Sequence, residues 1–279
     1  MNRISTLIAV ASVSVLAFHM PPVVAQNERE STHTLDKRIA ALEAQAQANE
    51  DRAEVANLFS RYMYLHNAFE DEQIIPMWAK EGTPGMSAEY SNLGRFTTYD
   101  SIMEYHRNRP NPTGKLIFHY LSNPVIEVAG DGETAKGMWI MTGLESGLTK
   151  PEHASNMPDW MHVPEVLVDG KRVWMHKVYA KYGIDFIKQD GEWKIWHFRC
   201  FEVTREPYGM GWIPWAAQAN HAGFNSELMY VGDDGKPVFM PPTDGPALIE
   251  ANPYRIDGGQ TLDAPIPEPY ETFSETFSY

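Results

Sequence analysis

The clearest pattern along the chain is a pair of strand-like runs within residues 172–203, where β-branched and aromatic side chains alternate with polar ones. The runs flank residues 189–192, whose central Asp-Gly pair is typical of a tight β-hairpin turn. Strict alternation along the second run predicts one face composed of Trp193, Ile195, His197, Arg199 and Phe201. Because both faces are largely apolar, we predict a hairpin covered by helices on one face and by a cavity or a partner on the other.

A second hairpin is predicted for residues 116–128 and 134–144, which are joined by the turn-forming residues 129–133. Between the two hairpins, residues 145–170 contain three prolines and no clear alternation. We predict that this segment is a lid or an interface loop outside the sheet.

Apolar residues at helical spacing predict the elements upstream of the hairpins. A polar helical arm at residues 26–50 leads into a core helix from Asp51 onward, and shorter helices follow at residues 71–80 and 98–108. A short strand is predicted at residues 86–90. The helix caps that we expect are Thr34 for the arm, and Thr97 or Thr98 for the last helix.

The first 25 residues resemble a secretory signal, with a short basic start, an apolar run at residues 4–18 and small residues up to Ala25. We predict cleavage after Ala25 and a periplasmic or secreted protein with no remaining membrane attachment. The alternative is an uncleaved membrane anchor. The apolar run is shorter than the roughly 20 residues that span a bilayer, which favours cleavage.

The composition of the chain limits which binding partners and which cross-links it can have. The chain has 23 basic and 37 acidic residues, a formal net charge of −14, which argues against nucleic-acid binding. Cys200 is the only cysteine, so no internal disulfide forms even in an exported protein. The last part, residues 206–279, is irregular but rich in aromatic residues and proline. We expect it to wrap over the domain or a neighbouring subunit, and we expect a homo-oligomer, either a dimer or a trimer.

The order of these elements and the two hairpins, HYLSNPVIEVAGDGETAKGMWIM and DFIKQDGEWKIWHF, resemble the SnoaL-like branch of the nuclear transport factor 2-like superfamily. The resemblance covers about residues 51–203, and we predict a domain of this type at residues 51–205. It implies an α+β cone fold, in which a curved mixed or antiparallel sheet packs on N-terminal helices around one apolar pocket, here followed by a long irregular C-terminal extension. The chain is also similar to SnoaL-like lyases that act on lignin-derived diaryl compounds, and more distantly to scytalone and bile acid dehydratases.

These resemblances imply a cofactor-independent lyase that removes water or formaldehyde from a hydrophobic aromatic small molecule. The alternatives are an isomerase or cyclase that acts on a polycyclic substrate, and a non-catalytic ligand-binding oligomeric module. The sequence contains no HExxH, paired-cysteine or His-x-His cluster, and no GxGxxG, Walker or nucleophile-elbow motif. We therefore expect neither a metal nor another cofactor.

Dehydratases of this family carry a tyrosine on the first helix and a histidine on the first long strand, and the matching positions here are Tyr62 and His119. His119 is the expected base, because imidazole accepts protons near neutral pH. Tyr62 would stabilise a developing oxyanion or protonate a leaving hydroxyl; the alternative is a plain core tyrosine. The dehydratases have an aspartate five residues after that tyrosine, where this chain has Asn67.

Two residues on the predicted inward face of the hairpin complete the expected catalytic set. Arg199 would hold negative charge on the substrate, or pair with Glu202 or Asp185, and His197 would support the base. Lys136 and Arg95 are further cations that could meet an anionic substrate. The residues that we expect to contact the substrate are His66, Asn67, Arg95, Trp78, Trp139 and Tyr105.

Overall fold

The computed structural model describes residues 22–91, 93–109, 111, 113–149, 159, 162–217, 230–231, 237–238, 243–248, 254–259, 262 and 264–279. Most of the predicted signal peptide lies outside these residues. The chain divides into two compact units, the first ending at Gln47 and the second comprising Ala48–Tyr279. In the described part of the chain, no helix is both long enough and apolar enough to cross a membrane.

The α-helices in the described residues are α1 (Pro22–Ala68), α2 (Asp71–Ile74), α3 (Tyr99–Arg107) and α4 (Trp212–Ala216); a 3-10 turn at Ile75–Met77 follows α2, and another lies at Phe273–Glu275. Thr34 lies inside α1, so its predicted role as an N-cap is wrong. The prediction for α3 is confirmed, because Thr98 caps it and its hydroxyl accepts a hydrogen bond from the Ser101 amide at 3.1 Å.

The strands in the described residues are β1 (Ser87–Tyr90), β2 (Gly94–Phe96), β3 (Leu116–Val128), β4 (Thr134–Thr149), β5 (His162–Val168), β6 (Lys171–Gln189) and β7 (Glu192–Pro207), and a separate pair comprises β8 (Tyr230–Val231) and β9 (Pro237–Val238). The first seven form one sheet, in the order β2-β1-β7-β6-β4-β3, with β5 paired to the start of β6. The pair β1–β7 is parallel and the other pairs are antiparallel. The expected α+β architecture with an open, curved sheet is therefore confirmed.

Both predicted hairpins are present. In the longer one, Gln189 pairs with Glu192, so Asp190 and Gly191 form a two-residue loop. Both loop residues have positive φ angles, 52° and 80°, which is the geometry that an Asp-Gly turn favours.

The lid predicted for residues 145–170 is partly wrong. Pairing between β4 and β6 continues without interruption from Thr134 to Thr149, so the first five residues of this segment belong to the sheet. Residues 162–168 form β5, which pairs with β6 beyond the end of β7. Most of the residues between these strands lie outside the described part of the chain.

We call the sheet face that packs on α1 the inner face and the opposite one the outer face. A β-bulge in β7 decides which side chains lie on each. Asp185 pairs with His197 and Phe186 pairs with Ile195, which leaves Trp196 as an extra residue. Strict alternation therefore fails at this point, and the predicted face of the second strand is wrong.

The bulge separates two groups of side chains that alternation placed together. Those of β7 that join the main core on the inner face are Trp193, Ile195, Phe198 and Cys200. Phe201 instead packs with Met138 and Tyr279 in a smaller cluster on the outer face. His197 and Arg199 also lie on the outer face, away from the core in which a pocket was expected.

Residues 264–279 pack on the outer face of this same chain. The amides of Gly130 and Asp131, in the β3–β4 turn, donate hydrogen bonds to the carbonyls of Tyr270 and Glu271 at 3.0 and 3.1 Å. The Tyr279 ring lies over Gly183, where a Cβ would come within 2.3 Å of the ring. Close contact with this glycine therefore gives the last residue a specific place on the sheet.

Under these C-terminal residues lies a buried ion pair, which we call the outer ion pair. Lys136 Nζ is 2.6 Å from Asp185 Oδ1, and both side chains are 0% exposed. The other Asp185 oxygen accepts hydrogen bonds from His197 Nδ1 at 2.8 Å and from the Tyr279 amide at 2.9 Å. Lys136 also contacts the carbonyl of Phe277. Lys136 and His197 therefore belong to a contact between the sheet and the C-terminal residues.

Candidate active site

A connected series of polar side chains crosses the inner face between the sheet and helices α1 to α3. No side chain in it is more than 15% exposed. We call it the polar chain, and in order of contact its members are Glu202, Arg205, His176, Glu145 with Lys115, His119, His66, Arg109, Asp71, His106 and Trp78.

At its centre are His119 and Glu145. His119 of β3 pairs with Gly143 of β4, so Glu145, two residues further on, shares the inner face with it. His119 Nε2 lies 3.2 Å from Glu145 Oε1, whereas Nδ1 is buried and has no hydrogen-bond partner in the described residues. A proton on Nε2, donated to the carboxylate, leaves a lone pair on Nδ1. This atom is therefore available to act as a base.

Asn67 holds the backbone of His119 rather than its ring. Its amide nitrogen donates to the His119 carbonyl at 2.7 Å, and its carbonyl oxygen accepts from the His119 amide at 2.9 Å. The carboxylate that orients the imidazole comes from β4 instead. Glu145 thus provides an orienting carboxylate, although this chain has Asn67 at the position where the resembling dehydratases have an aspartate.

Glu145 is ionised at neutral pH. Burial by itself raises the pKa of its carboxyl group, but the proximity of His176, the hydrogen bond with His119 and the charge of Lys115 outweigh this and hold the pKa well below its usual range. Lys115 Nζ lies 3.9 Å from the carboxylate and 4.5 Å from the centre of the Trp174 ring. The negative charge of the Glu145 carboxylate therefore lies next to Nε2 of His119.

Arg205 and Glu202 continue the polar chain along β7. The guanidinium donates two hydrogen bonds to the carboxylate, at 2.8 and 2.6 Å, and also contacts His176 Nε2. Burial and the charge of Arg205 lower the pKa of His176 to about 4, although Glu145 favours its protonation. His176 is thus neutral at physiological pH.

A second bulge brings these two residues together. Thr204 pairs with Tyr179 and Glu202 pairs with Ala180, so Val203 is an extra residue. Two strand residues three apart would otherwise point to opposite faces. Sequence reasoning therefore could not place Arg205 beside Glu202 on the inner face.

The helices contribute the other half of the polar chain. The His66 ring, on α1, stacks on the His119 ring with centroids 5.5 Å apart. Arg109 donates to the His66 carbonyl at 2.7 Å and contacts the His66 ring, and its Nε lies 3.3 Å from Asp71 Oδ1. Burial, followed by the charge of Arg109, lowers the pKa of His66 well below its usual value.

The tautomer of His106 follows from its two partners. Trp78 Nε1 donates to His106 Nε2 at 2.9 Å, so the proton of the neutral ring resides on Nδ1 and is donated to Asp71 at 3.1 Å. Burial lowers the pKa of His106 and outweighs the opposite effect of Asp71. Trp78, which we expected to contact substrate, therefore helps to fix this histidine.

Two phenols lie deeper, on the core side of the polar chain. The hydroxyls of Tyr62 and Tyr90 are buried without a hydrogen bond of good geometry among the described residues, though each influences the other's pKa. Burial, and next the nearby Tyr105, raise the pKa of both hydroxyls well above the usual value. Both therefore stay protonated and can donate hydrogen bonds to a ligand oxygen.

The predicted site residues divide into three groups: those near the polar chain, one in the core and those elsewhere. Those in or beside the polar chain are His119, Tyr62, His66, Asn67, Trp78 and Tyr105. Trp139 packs against Phe59 with centroids 4.5 Å apart, within the core. Sequence reasoning missed Glu145, His176, Arg205, Arg109 and Lys115, because spacing along the chain does not show contacts between strands.

Three predicted residues lie elsewhere. His197 contacts Asp185 on the outer face, and Arg199 Nε is 3.7 Å from Glu89 on that face. Arg95, on the edge strand β2, donates to the Pro246 carbonyl at 2.9 Å. The bulge at Trp196 is the physical reason for the first two corrections, since it turns both side chains outward.

Two other possible sources of reactivity are a metal site and the thiol of Cys200. Among the described residues, no three His, Cys, Asp or Glu side chains are grouped so that they could hold a metal ion. Cys200 lies on the inner face, where burial raises the pKa of its thiol far above the usual value. A thiol in this state is a poor nucleophile.

We expect Gly143→Ala to lower kcat by about tenfold, because the ring of His119, the base expected from the sequence, has to move. A Cβ at this position would come within 2.2 Å of His119 Cδ2 and 2.8 Å of Val178 Cγ1. Steady-state kinetics on purified protein measures the effect. Gly259→Ala is the matched control, since nothing lies within 4 Å of its added Cβ. Unchanged kcat in Gly143→Ala would contradict the placement of the ring.

We expect the free energy of unfolding to fall as the pH is lowered from 7 to 4. The pKa values of His66, His106 and His176 are lower in the folded protein than the usual 6.5, so the unfolded chain binds more protons in this range. Each contributes up to about 1.4 kcal/mol per pH unit between its two pKa values, which for His176 are 6.5 and about 4.

Urea unfolding at several pH values measures this slope. His176→Gln should flatten it between pH 6.5 and 4, whereas His33→Gln, an exposed residue of α1, should leave it unchanged. A slope that is identical in the His176 variant would contradict the assignment.

The chain is similar to a known domain family and to several solved structures. The model of the SnoaL-like domain family matches residues 47–199. Solved structures that resemble the chain include a proposed scytalone dehydratase from Novosphingobium aromaticivorans, which is 12% identical, has a TM-score of 0.42, and matches over 63% of this chain and 99% of its own. A search of curated proteins found no match.

Two further structures have similar values. The hexachlorocyclohexane dehydrochlorinase LinA-type3 from Novosphingobium barchaimii is 17% identical over 58% of this chain and 93% of its own, with a TM-score of 0.41. A proposed dehydratase of the NTF2-like family from Streptomyces avermitilis is 13% identical over 56% and 98%, also with a TM-score of 0.41.

Proposed function

The chain belongs to the SnoaL-like domain family, and from this premise we propose that it is a cofactor-independent lyase that acts on a hydrophobic aromatic small molecule by acid–base elimination. The observation that carries the proposal is the His119 ring. Its Nε2 is held by a carboxylate, while Nδ1 is buried and has no partner in the described residues. A positioned base of this kind is what proton abstraction requires.

The reaction has two proton transfers. In a dehydration, His119 Nδ1 takes a proton from a carbon next to the one that bears the leaving hydroxyl, and Glu145 stabilises the imidazolium that forms. As the C–O bond breaks and a C=C bond forms, the leaving hydroxyl takes the proton from the His119 imidazolium and departs as water, which restores the neutral ring. In a deformylation, the base takes the proton of a hydroxymethyl group, the C–C bond breaks to release formaldehyde, and the imidazolium returns the proton to the remaining carbon.

Tyr62 and Tyr90 would stabilise the charge that develops during either reaction. Both phenols are protonated and buried, so they can donate hydrogen bonds to an oxygen on the substrate. The rings next to them, Tyr105 and Phe198, provide apolar surface for an aromatic substrate. This combination of phenol donors and aromatic walls supports the proposed substrate class.

Incubation of the purified protein with diaryl lignin dimers, steroids and polyketide-like aromatics, followed by mass analysis, tests the proposal. We expect a product that is lighter by water or by formaldehyde. A product of unchanged mass would instead indicate an isomerase or cyclase, and binding without any product would indicate a ligand-binding module.

We also propose that the mature protein is exported and is a homo-oligomer. Exposed apolar side chains on the outer face support self-association, because such patches commonly mark interfaces. Three lie on β3 and two on the paired strand β4, and each is 40–50% exposed: Leu116, Phe118, Tyr120, Ile140 and Leu144.

We expect Phe118→Lys to lower the molar mass of the particle in solution to that of one chain, since a charge at the centre of an apolar interface would have to be buried. Light scattering after size-exclusion chromatography measures this. Tyr64→Lys, at a residue of α1 that is 79% exposed, is the control. An unchanged oligomer in the Phe118 variant would contradict an interface on this face.

A further inference from the structure

The polar chain contains three cations, and each is matched by an anion. Arg205 donates two hydrogen bonds to Glu202. Arg109 Nε is 3.3 Å from Asp71. The third pair is Lys115 and Glu145, whose charged atoms are 3.9 Å apart. The formal charges of these six side chains therefore sum to zero.

Three histidines of the polar chain, His66, His106 and His176, add no positive charge at neutral pH. Burial is the largest cause that lowers the pKa of His66, His106 and His176, and for His66 and His176 the nearby arginines lower it further. Each of these rings is thus neutral and serves as a donor or acceptor of hydrogen bonds.

The cations that the sequence suggested for an anionic substrate contact other groups, away from the inner face. Arg199 is near Glu89 on the outer face, and Lys136 is paired with Asp185 under the C-terminal residues. Arg95 donates to the Pro246 carbonyl at the sheet edge. None of these three can meet a ligand on the inner face.

We infer that the inner-face site selects an electroneutral substrate, an aromatic alcohol or phenol without a carboxylate or phosphate group. This inference rests on the proposed function for the location of the site. A ligand anion would have to take a cation from its partner, and that partner would then remain as a buried unpaired charge. A neutral hydroxyl needs only hydrogen-bond partners, which His119 Nδ1 and the phenols of Tyr62 and Tyr90 can provide.

Calorimetric binding of three matched compounds tests the inference: a diaryl alcohol, the same alcohol with a carboxylate on one ring, and the methyl ester of that acid. We expect the alcohol and the ester to bind about tenfold or more tightly than the carboxylate. The ester controls for size. Equal or tighter binding of the carboxylate, or no binding of any of the three, would overturn the inference.

Variants that free a cation strengthen the test. Glu202→Gln releases Arg205 and Asp71→Asn releases Arg109, so either should improve carboxylate binding about tenfold relative to the ester. Glu192→Gln, whose side chain is 74% exposed, should leave the ratio unchanged. If neither freed cation alters the ratio in a folded protein, ion pairing does not set the selectivity. Neutral ligands that bind selectively but give no product would refute the proposed lyase activity and leave the inference intact.

Discussion

His119→Gln is expected to lower kcat by roughly 10²-fold or more, because the variant keeps a polar side chain of similar reach but removes the base. The free energy of unfolding should change little, since the backbone contacts with Asn67 are retained. Steady-state kinetics on the substrate found by screening, together with urea unfolding, measures both quantities.

Three comparisons make this result specific. Tyr62→Phe should cost less, because Tyr90 provides a second buried phenol. Tyr64→Phe, on the exposed side of the same helix, and His33→Gln should leave kcat unchanged. A His119→Gln variant with normal kcat would mean that the base is another residue.

Lys136→Met is expected to lower the free energy of unfolding by about 3–5 kcal/mol, which is the usual cost of removing one member of a buried ion pair. Lys136 and Asp185 are both 0% exposed, so the carboxylate would remain buried without its cation. Urea denaturation monitored by tryptophan fluorescence measures the difference from the unmodified protein.

The exposed pair of Lys80 and Asp190 is the matched control, because its side chains are 56% and 77% exposed. Lys80→Met should cost about 1 kcal/mol or less. Replacing both members of the outer ion pair, with Lys136→Met and Asp185→Asn together, should recover part of the loss. Equal costs for Lys136→Met and Lys80→Met would show that the outer ion pair is not buried in solution.

Much of the local structure could be predicted from the sequence. The Asp-Gly turn, the cap at Thr98 and the apolar stripe of α1 are short-range features, and the structure has all three. Hairpin strands were predicted for the same reason, since their residues are close in sequence. The end of β4 was missed, because its continuation to Thr149 depends on pairing with β6 rather than on its own residues.

The candidate site was predicted less completely. His119 and Tyr62 were identified through a family resemblance, whereas Glu145 was not, because it is 26 residues from His119 and meets it only through strand pairing. Arg205 was missed because the bulge at Val203 places it on the same face as Glu202. Arg109 comes from the segment after α3 and reaches His66 across 43 residues.

The sequence by itself determined the order of the main helices and of the two long hairpins, because periodicity and turn chemistry are local properties. The α+β class and the positions of His119 and Tyr62 were added by the family resemblance. Only the tertiary structure decided which face each side chain of β7 occupies. A single extra residue in a strand reverses the alternation, and its position depends on the partner strand. That reversal sends His197 and Arg199 to the outer face and Glu202 to the inner face, and the second bulge returns Arg205 to the inner face beside Glu202.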